Sequence, residues 1–434
     1  MTRFRVLTAL AVLALSGCNV PEPPRPSGSA HVDAATPPGD AATRLDGEVP
    51  GTCGRGFVVV ESDYTSTNVA LVGENGRVLA ESLASSATAS VGLTAPLSGD
   101  VVVPTTAAHG KEIVLIDRDP GASRLVWVDM ETARRELSVG ASGFRANPYD
   151  YVQLSATKAY VTRFGSNPVP GKQPFDRGND VLVVDPSVPR IVASIDMIPA
   201  LGADTARVLP RPGQMVVVGA RAFVLLGALP YDLLALTADV PSRVVAIDTT
   251  TDAITDVLTL DGLANCGGLA LSPTGQELSV LCSGKINANA PSDPAGAGIA
   301  VVDVTGAPRV RRTWKGADLG PGPVGFFADY ATPSVLVFQT FGYTVGSTVV
   351  NDTVARLDLE TGSVETLLIS AGEPFTLYGI SCDALCRVCV VADAKRQGGV
   401  IHRFTVDGEG RLGEDRVIKV ETSIGLPPRY VGRF

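Results

Sequence analysis

The residues of this 434-residue chain that could do chemistry are few, beginning with seven cysteines. Setting Cys18 apart leaves an even six, Cys53, Cys266, Cys282, Cys382, Cys386 and Cys389, and an even set in an exported chain is read as disulfides. A hairpin centred on Thr274 would place Cys266 opposite Cys282. One centred on Ala384 would oppose Cys382 and Cys386, leaving Cys389 for Cys53. A zinc site from Cys53, Cys382, Cys386 and Cys389 is the metal-binding alternative, which an oxidising compartment disfavours. Cys386-Arg-Val-Cys389 is followed by Val390 and not histidine, so haem attachment is unsupported.

Other catalytic patterns fail on context. Ser155-Ala-Thr-Lys158 has the spacing of a serine–lysine pair but lies in a short turn without the helix that would aim the serine. Gly165 to Lys172 has one residue too many between its glycines for a phosphate loop, and no hydroxyl follows the lysine. There is no G-x-S-x-G elbow. His31, His109 and His402 are too few for a multi-histidine centre; they read as a linker residue, a solvated loop residue and a sheet residue with a satisfied hydrogen bond. No catalytic residue is assigned, and no ligand set for a redox cofactor emerges.

The elements that must position these residues begin with a targeting segment. Arg3 and Arg5 precede an apolar run from Val6 to Leu15, short of the roughly 20 residues needed to span a bilayer. Leu15-Ser-Gly-Cys18 follows. The segment resembles a bacterial lipoprotein signal. That resemblance implies residues 1–17 as signal peptide, Cys18 as the lipidated residue and a place in the cell envelope, with outer-membrane placement because Asn19 is not the aspartate of inner-membrane retention. Residues 18–52 are rich in Pro, Gly, Ser, Ala and Asp without apolar periodicity and read as a flexible tether.

Residues 53–434 form the folded part. Hydrophobic residues are 45% and charged residues 19%, and the mean hydropathy is +0.22. Long helical patterns are absent, and short β-rich runs between turn residues argue for an all-β fold. The runs recur about every 45 to 60 residues, a propeller-like period. Seven blades are predicted, and the first, begun at Phe57, lacks an inner strand. A run is left over at Pro428 to Phe434, so this C-terminal strand is expected to close the ring into the N-terminal blade. Ala159-Tyr-Val-Thr162 with Val183-Val-Asp185 resembles the YVTN-type β-propeller repeats of bacterial surface and periplasmic proteins, although the family's asparagine is Arg163 here. The resemblance implies a fold that binds proteins, glycans or small molecules and includes some enzymes.

Prolines 96, 148, 212, 323 and 428 precede the inner strands. With alternating strand direction, the connections 164–179, 227–242, 283–297 and 341–352 lie on the same face as those prolines, while the opposite face has tight turns. Long loops on a rigid scaffold are where binding residues collect. Ala95, Asn147, Arg211, Asn265, Gly322 and Pro427 should ring the channel mouth. Asn147, Asp150, Arg211 and Asn265 are the candidate ligand-binding residues, and with Asp100 nearby they could hold a calcium-like cation; the alternative is that the asparagines form turns. No metal or cofactor is otherwise expected. A net charge of -9 with no basic stripe argues against nucleic acid. The expected function is a lipid-anchored, non-catalytic propeller binding a protein, glycan or small ligand on its long-loop face. A lactonase-like hydrolase with a divalent cation at the mouth is the alternative.

Overall fold

The computed structural model describes residues 53–434 except 88–91, 109–111, 130–133, 141–143, 232–238, 286–292, 373, 396–397 and 421–422. The signal segment with Cys18, the tether with His31, and His109 lie outside the described residues. Seven four-stranded antiparallel sheets form a seven-bladed β-propeller. From the channel outward, blade 3 has strands Pro148–Ser155, Lys158–Ser166, Gly178–Asp185 and Arg190–Asp196. Burial explains its sequence pattern: Gly178–Asp185 is buried throughout, whereas Arg190–Asp196 alternates as a strand with one wet face does.

Blade 2 spans residues 101–138, blade 4 residues 212–259, blade 5 residues 266–315, blade 6 residues 324–369 and blade 7 residues 377–418. Blade 1 takes its three outer strands from Gly56–Ser62, Thr67–Gly73 and Val78–Ser85. Its inner strand is Pro428–Arg433, which pairs antiparallel with Gly56–Ser62 in the register Phe57 to Arg433 and Val59 to Val431. The expected closure by the two ends of the chain is therefore present.

Neighbouring blades are locked by one repeated device on the inner strands. The Asp150 carboxylate accepts N–H from Tyr151 in its own blade and from Met215 in the next. Asp329 does the same with Tyr330 and Cys382, and Gln214 accepts from Leu269. Where blade 5 meets blade 6, Gly267 and Gly268 replace the polar side chain. A Cβ there would lie 2.5 Å from the Phe326 ring or 2.7 Å from its carbonyl, so glycine permits the approach.

Cys266 and Cys282 face each other in register and are bonded, as expected. The other two pairings differ from expectation. The blade 7 hairpin turns through residues 384–387, with Asp383 opposite Val388, so Cys382 faces and bonds Cys389. Cys386 is left in the turn and bonds Cys53, joining the start of the blade 1 sequence to blade 7. The four sulfurs therefore form two separate bridges and do not converge on one metal.

Candidate ligand-binding mouth

Asn147, Arg211 and Asn265 occupy equivalent places before the inner strands of blades 3, 4 and 5, all in the left-handed region with φ of 45°, 52° and 51°. Their carbonyls accept N–H from Phe164, Gly227 and Ser283, respectively. The asparagines are turn formers, in keeping with their tolerance of this conformation. Arginine has no such tolerance, so Arg211 departs from the pattern.

Asp150 is buried, and its oxygens accept three backbone N–H groups, from Thr105, Tyr151 and Met215, at 2.8–2.9 Å. Burial pushes its pKa up to about 6, against the pull of those bonds. Asp100 is paired with Arg118. Both carboxylates are thus committed to protein donors, and a cation would have to displace them.

A different group of residues shapes the channel. Phe327, Tyr378 and Tyr430, from the inner strands of three blades, form a triangle with ring centroids 5.9–6.4 Å apart. Edge-to-face contacts at this spacing are favourable beyond the area they bury. Above the triangle, on the long-loop face, the Arg429 guanidinium lies between the rings of Tyr64 and Tyr378, 4.4 and 4.9 Å from their centroids. Its Nε donates to the Ser62 carbonyl at 2.7 Å, and among the described residues no carboxylate pairs with it. Arg118 lies 5.6 Å from the Tyr430 ring and donates to its hydroxyl at 3.2 Å. Tyr64 donates to Tyr378 at 3.4 Å. Burial drives the Tyr378 and Tyr149 hydroxyls up to about 12, so they are neutral donors at ordinary pH.

The same surface continues toward blade 4. Tyr149 stacks on Phe164 at 5.7 Å, and the Arg211 guanidinium lies 5.1 Å over Phe164. Arg211 donates to the carbonyls of Phe164 and Tyr231, while its buried Nε lacks a partner. Desolvation lowers its pKa to about 10. Among the described residues, neither Arg211 nor Arg429 has a carboxylate partner, and each stacks on rings of this aromatic track. That track was not legible in sequence, because its rings come from separate blades. Beneath the triangle, a cavity of about 280 Å³ opens toward the tight-turn face between residues such as Gln214, Asp329, Ser381 and Arg433.

The rejected motifs have structural roles. Ser155 faces Lys158 across a turn, and the Lys158 amine pairs with Asp252 at 2.7 Å. In the loop resembling a phosphate cradle, the amides of Gly171, Lys172 and Gln173 are already bound to the Asp176 carboxylate, whose pKa they lower. Arg163, in the place of the repeat's asparagine, grips Asp180 through two nitrogens at 2.6 and 2.8 Å and ties the loop through the Phe175 carbonyl. His402 bonds Glu414 and Asp393; burial opposes its charge, but these acids raise its pKa overall. It is a satisfied sheet residue.

No family model matches the chain, and no curated protein matches its sequence. Solved structures do match its fold. A putative 6-phosphogluconolactonase from Bacteroides fragilis aligns at TM-score 0.53 and 10% identity, covering 87% of this chain and 97% of its own. A periplasmic gluconolactonase of Pseudomonas aeruginosa aligns at 0.53 and 12%, covering 87% and 98%. A Lactobacillus plantarum protein aligns at 0.55 and 12%, covering 88% and 100%. At these identities the similarity carries the propeller fold and not its chemistry.

Proposed function

We propose that this chain is a cell-envelope propeller, lipid-anchored through Cys18, that binds an acidic carbohydrate or a comparable small acidic ligand at its long-loop mouth without transforming it. The observation that carries this reading is Arg429, a cation without a carboxylate partner among the described residues, set between two tyrosine rings. The half-buried Tyr64 ring offers an apolar face to a sugar, and a guanidinium offers paired donors to a carboxylate. The Phe327, Tyr378 and Tyr430 triangle lies beneath this pair.

Calorimetric titration with an oligogalacturonate and with a neutral oligosaccharide of equal length tests this. The acidic ligand should bind and the neutral one should not, with affinity falling as salt rises. Arg429→Ala should weaken binding at least about tenfold, the equivalent of about 1.4 kcal/mol. Equal binding of both ligands, or an unaffected variant, would overturn the reading. For the anchor, Cys18→Ala should move the protein from the membrane to the soluble fraction; retention on the membrane would contradict lipidation at that residue.

Lactone hydrolysis is the second reading, favoured by the two gluconolactonases of similar fold. It needs a group to activate water, and the carboxylates of Asp100 and Asp150 at the mouth are already engaged. Turnover of gluconolactone above the spontaneous rate would favour hydrolysis over simple binding.

A further inference from the structure

The tight-turn face carries a second cluster, on the side of the propeller opposite the mouth. Cys53 and Cys386 close the seam between blades 1 and 7, and Glu74 stands beside them from the turn between Thr67–Gly73 and Val78–Ser85. The two sulfurs and a Glu74 carboxylate oxygen all lie within 4.8 Å of one another. Asp383 supports the group: its Oδ1 accepts N–H from Leu385 and Cys386, both at 2.9 Å, which fixes the turn that presents Cys386. The position a Cβ would take on Gly54 lies 3.0 Å from Asp383 Oδ2 and 3.2 Å from Glu74 Oε1, so both carboxylates face one point.

Burial separates this disulfide from the other two. Cys266, Cys282, Cys382 and Cys389 are 3%, 0%, 1% and 0% exposed, whereas Cys53 is exposed and Cys386 half-buried. An exposed disulfide is the one open to thiol exchange. Once opened, its two thiolates and the Glu74 carboxylate supply sulfur and oxygen donors that zinc takes. Bonds of about 2.0–2.3 Å put tetrahedral ligands roughly 3.5–4 Å apart, so the two sulfurs, bonded in the closed state, move apart as the cation enters.

We propose that this seam is a redox-gated site for a thiophilic divalent cation, held by Cys53, Cys386 and Glu74, with the disulfide as its closed state. Opening requires a dithiol reductant. It delivers two electrons and two protons to the sulfur–sulfur bond, which becomes two thiols, while the reductant closes to its own disulfide. The cation then displaces both thiol protons, and the fourth coordination position remains open to water. The site ties Cys53, just ahead of the strand Gly56–Ser62, to blade 7, so metal and disulfide are alternative staples for the same seam.

The test uses the full chain and zinc ion alone. After mild treatment with a dithiol, alkylation and peptide mapping should label Cys53 and Cys386 and leave the four buried cysteines unlabelled; mapping also keeps Cys18 distinct. The reduced chain should then bind a single equivalent of zinc in competition with a colorimetric chelator, and the oxidised chain none. Cys386→Ser should abolish binding. Glu74→Gln, which keeps the side-chain shape and whose fold is checked by circular dichroism, should weaken it at least about tenfold, by comparison with what even outer-shell partners contribute. Equal zinc uptake by the oxidised and reduced chains, an unaffected Glu74→Gln variant, or labelling that spares Cys53 and Cys386 would overturn the proposal.

Discussion

The Asp150 carboxylate joins three blades, receiving Thr105, Tyr151 and Met215 N–H groups in a site closed to water. Burial raises its pKa from 3.8 to about 6. The folded protein therefore keeps a proton that the unfolded chain has lost, and this contribution to stability is full below about pH 4 and disappears as pH rises through about 6. Asp150→Asn should flatten the decline in unfolding free energy across that window, by on the order of 2–3 kcal/mol; identical slopes in both proteins would show that Asp150 does not titrate there. Sequence placed Asp150 on an inner strand near the mouth, but an acid beside a channel reads the same whether it faces a ligand or a neighbouring blade. Only the adjacent strand's amides decide, and those are 65 residues away at Met215. Arg211 is the converse case. Its position was readable from the proline that follows it, yet its stacking on Phe164, with no carboxylate partner among the described residues, becomes visible only when blades 3 and 4 meet.

Strands and hairpins were more legible. Their alternation is local, so the three-stranded first blade and the leftover run at Pro428 pointed to each other before any contact was known. Hairpin register was readable where the turn is short and punctuated: Ser272-Pro-Thr-Gly275 fixed Cys266 against Cys282. The blade 7 turn is centred between Leu385 and Cys386 and not on Ala384, with Arg387 at φ 56°, a conformation its residue type does not advertise. Cys382 consequently meets Cys389 and not Cys386. The bridge between Cys266 and Cys282, 16 residues apart, joins the two innermost strands of blade 5. Replacing both by alanine should destabilise the protein by about 2–3 kcal/mol, the chain-entropy value for a loop of this length. Denaturant unfolding would show this as a lower midpoint; an unchanged midpoint would mean that strand pairing alone holds the register.

The whole chain carries a net charge of -9, yet Arg118, Arg211 and Arg429 are gathered on one face of the propeller beside aromatic rings. The sum over the sequence hides this, because Arg118, Arg211 and Arg429 lie in or beside blades 2, 4 and 1 and only ring closure brings them to one rim. The opposite face has tight turns, an open cavity and the Cys53–Cys386 seam. On the proposed function the two faces do different work, ligand recognition above and closure of the seam below. Amide hydrogen exchange with and without a saturating oligogalacturonate tests that assignment most directly. Protection should rise around Tyr64, Arg118 and Arg429 on the long-loop face and stay unchanged around Ser272 to Gly275 and Arg433; protection confined to the tight-turn face, or no change at the mouth under saturation, would contradict it.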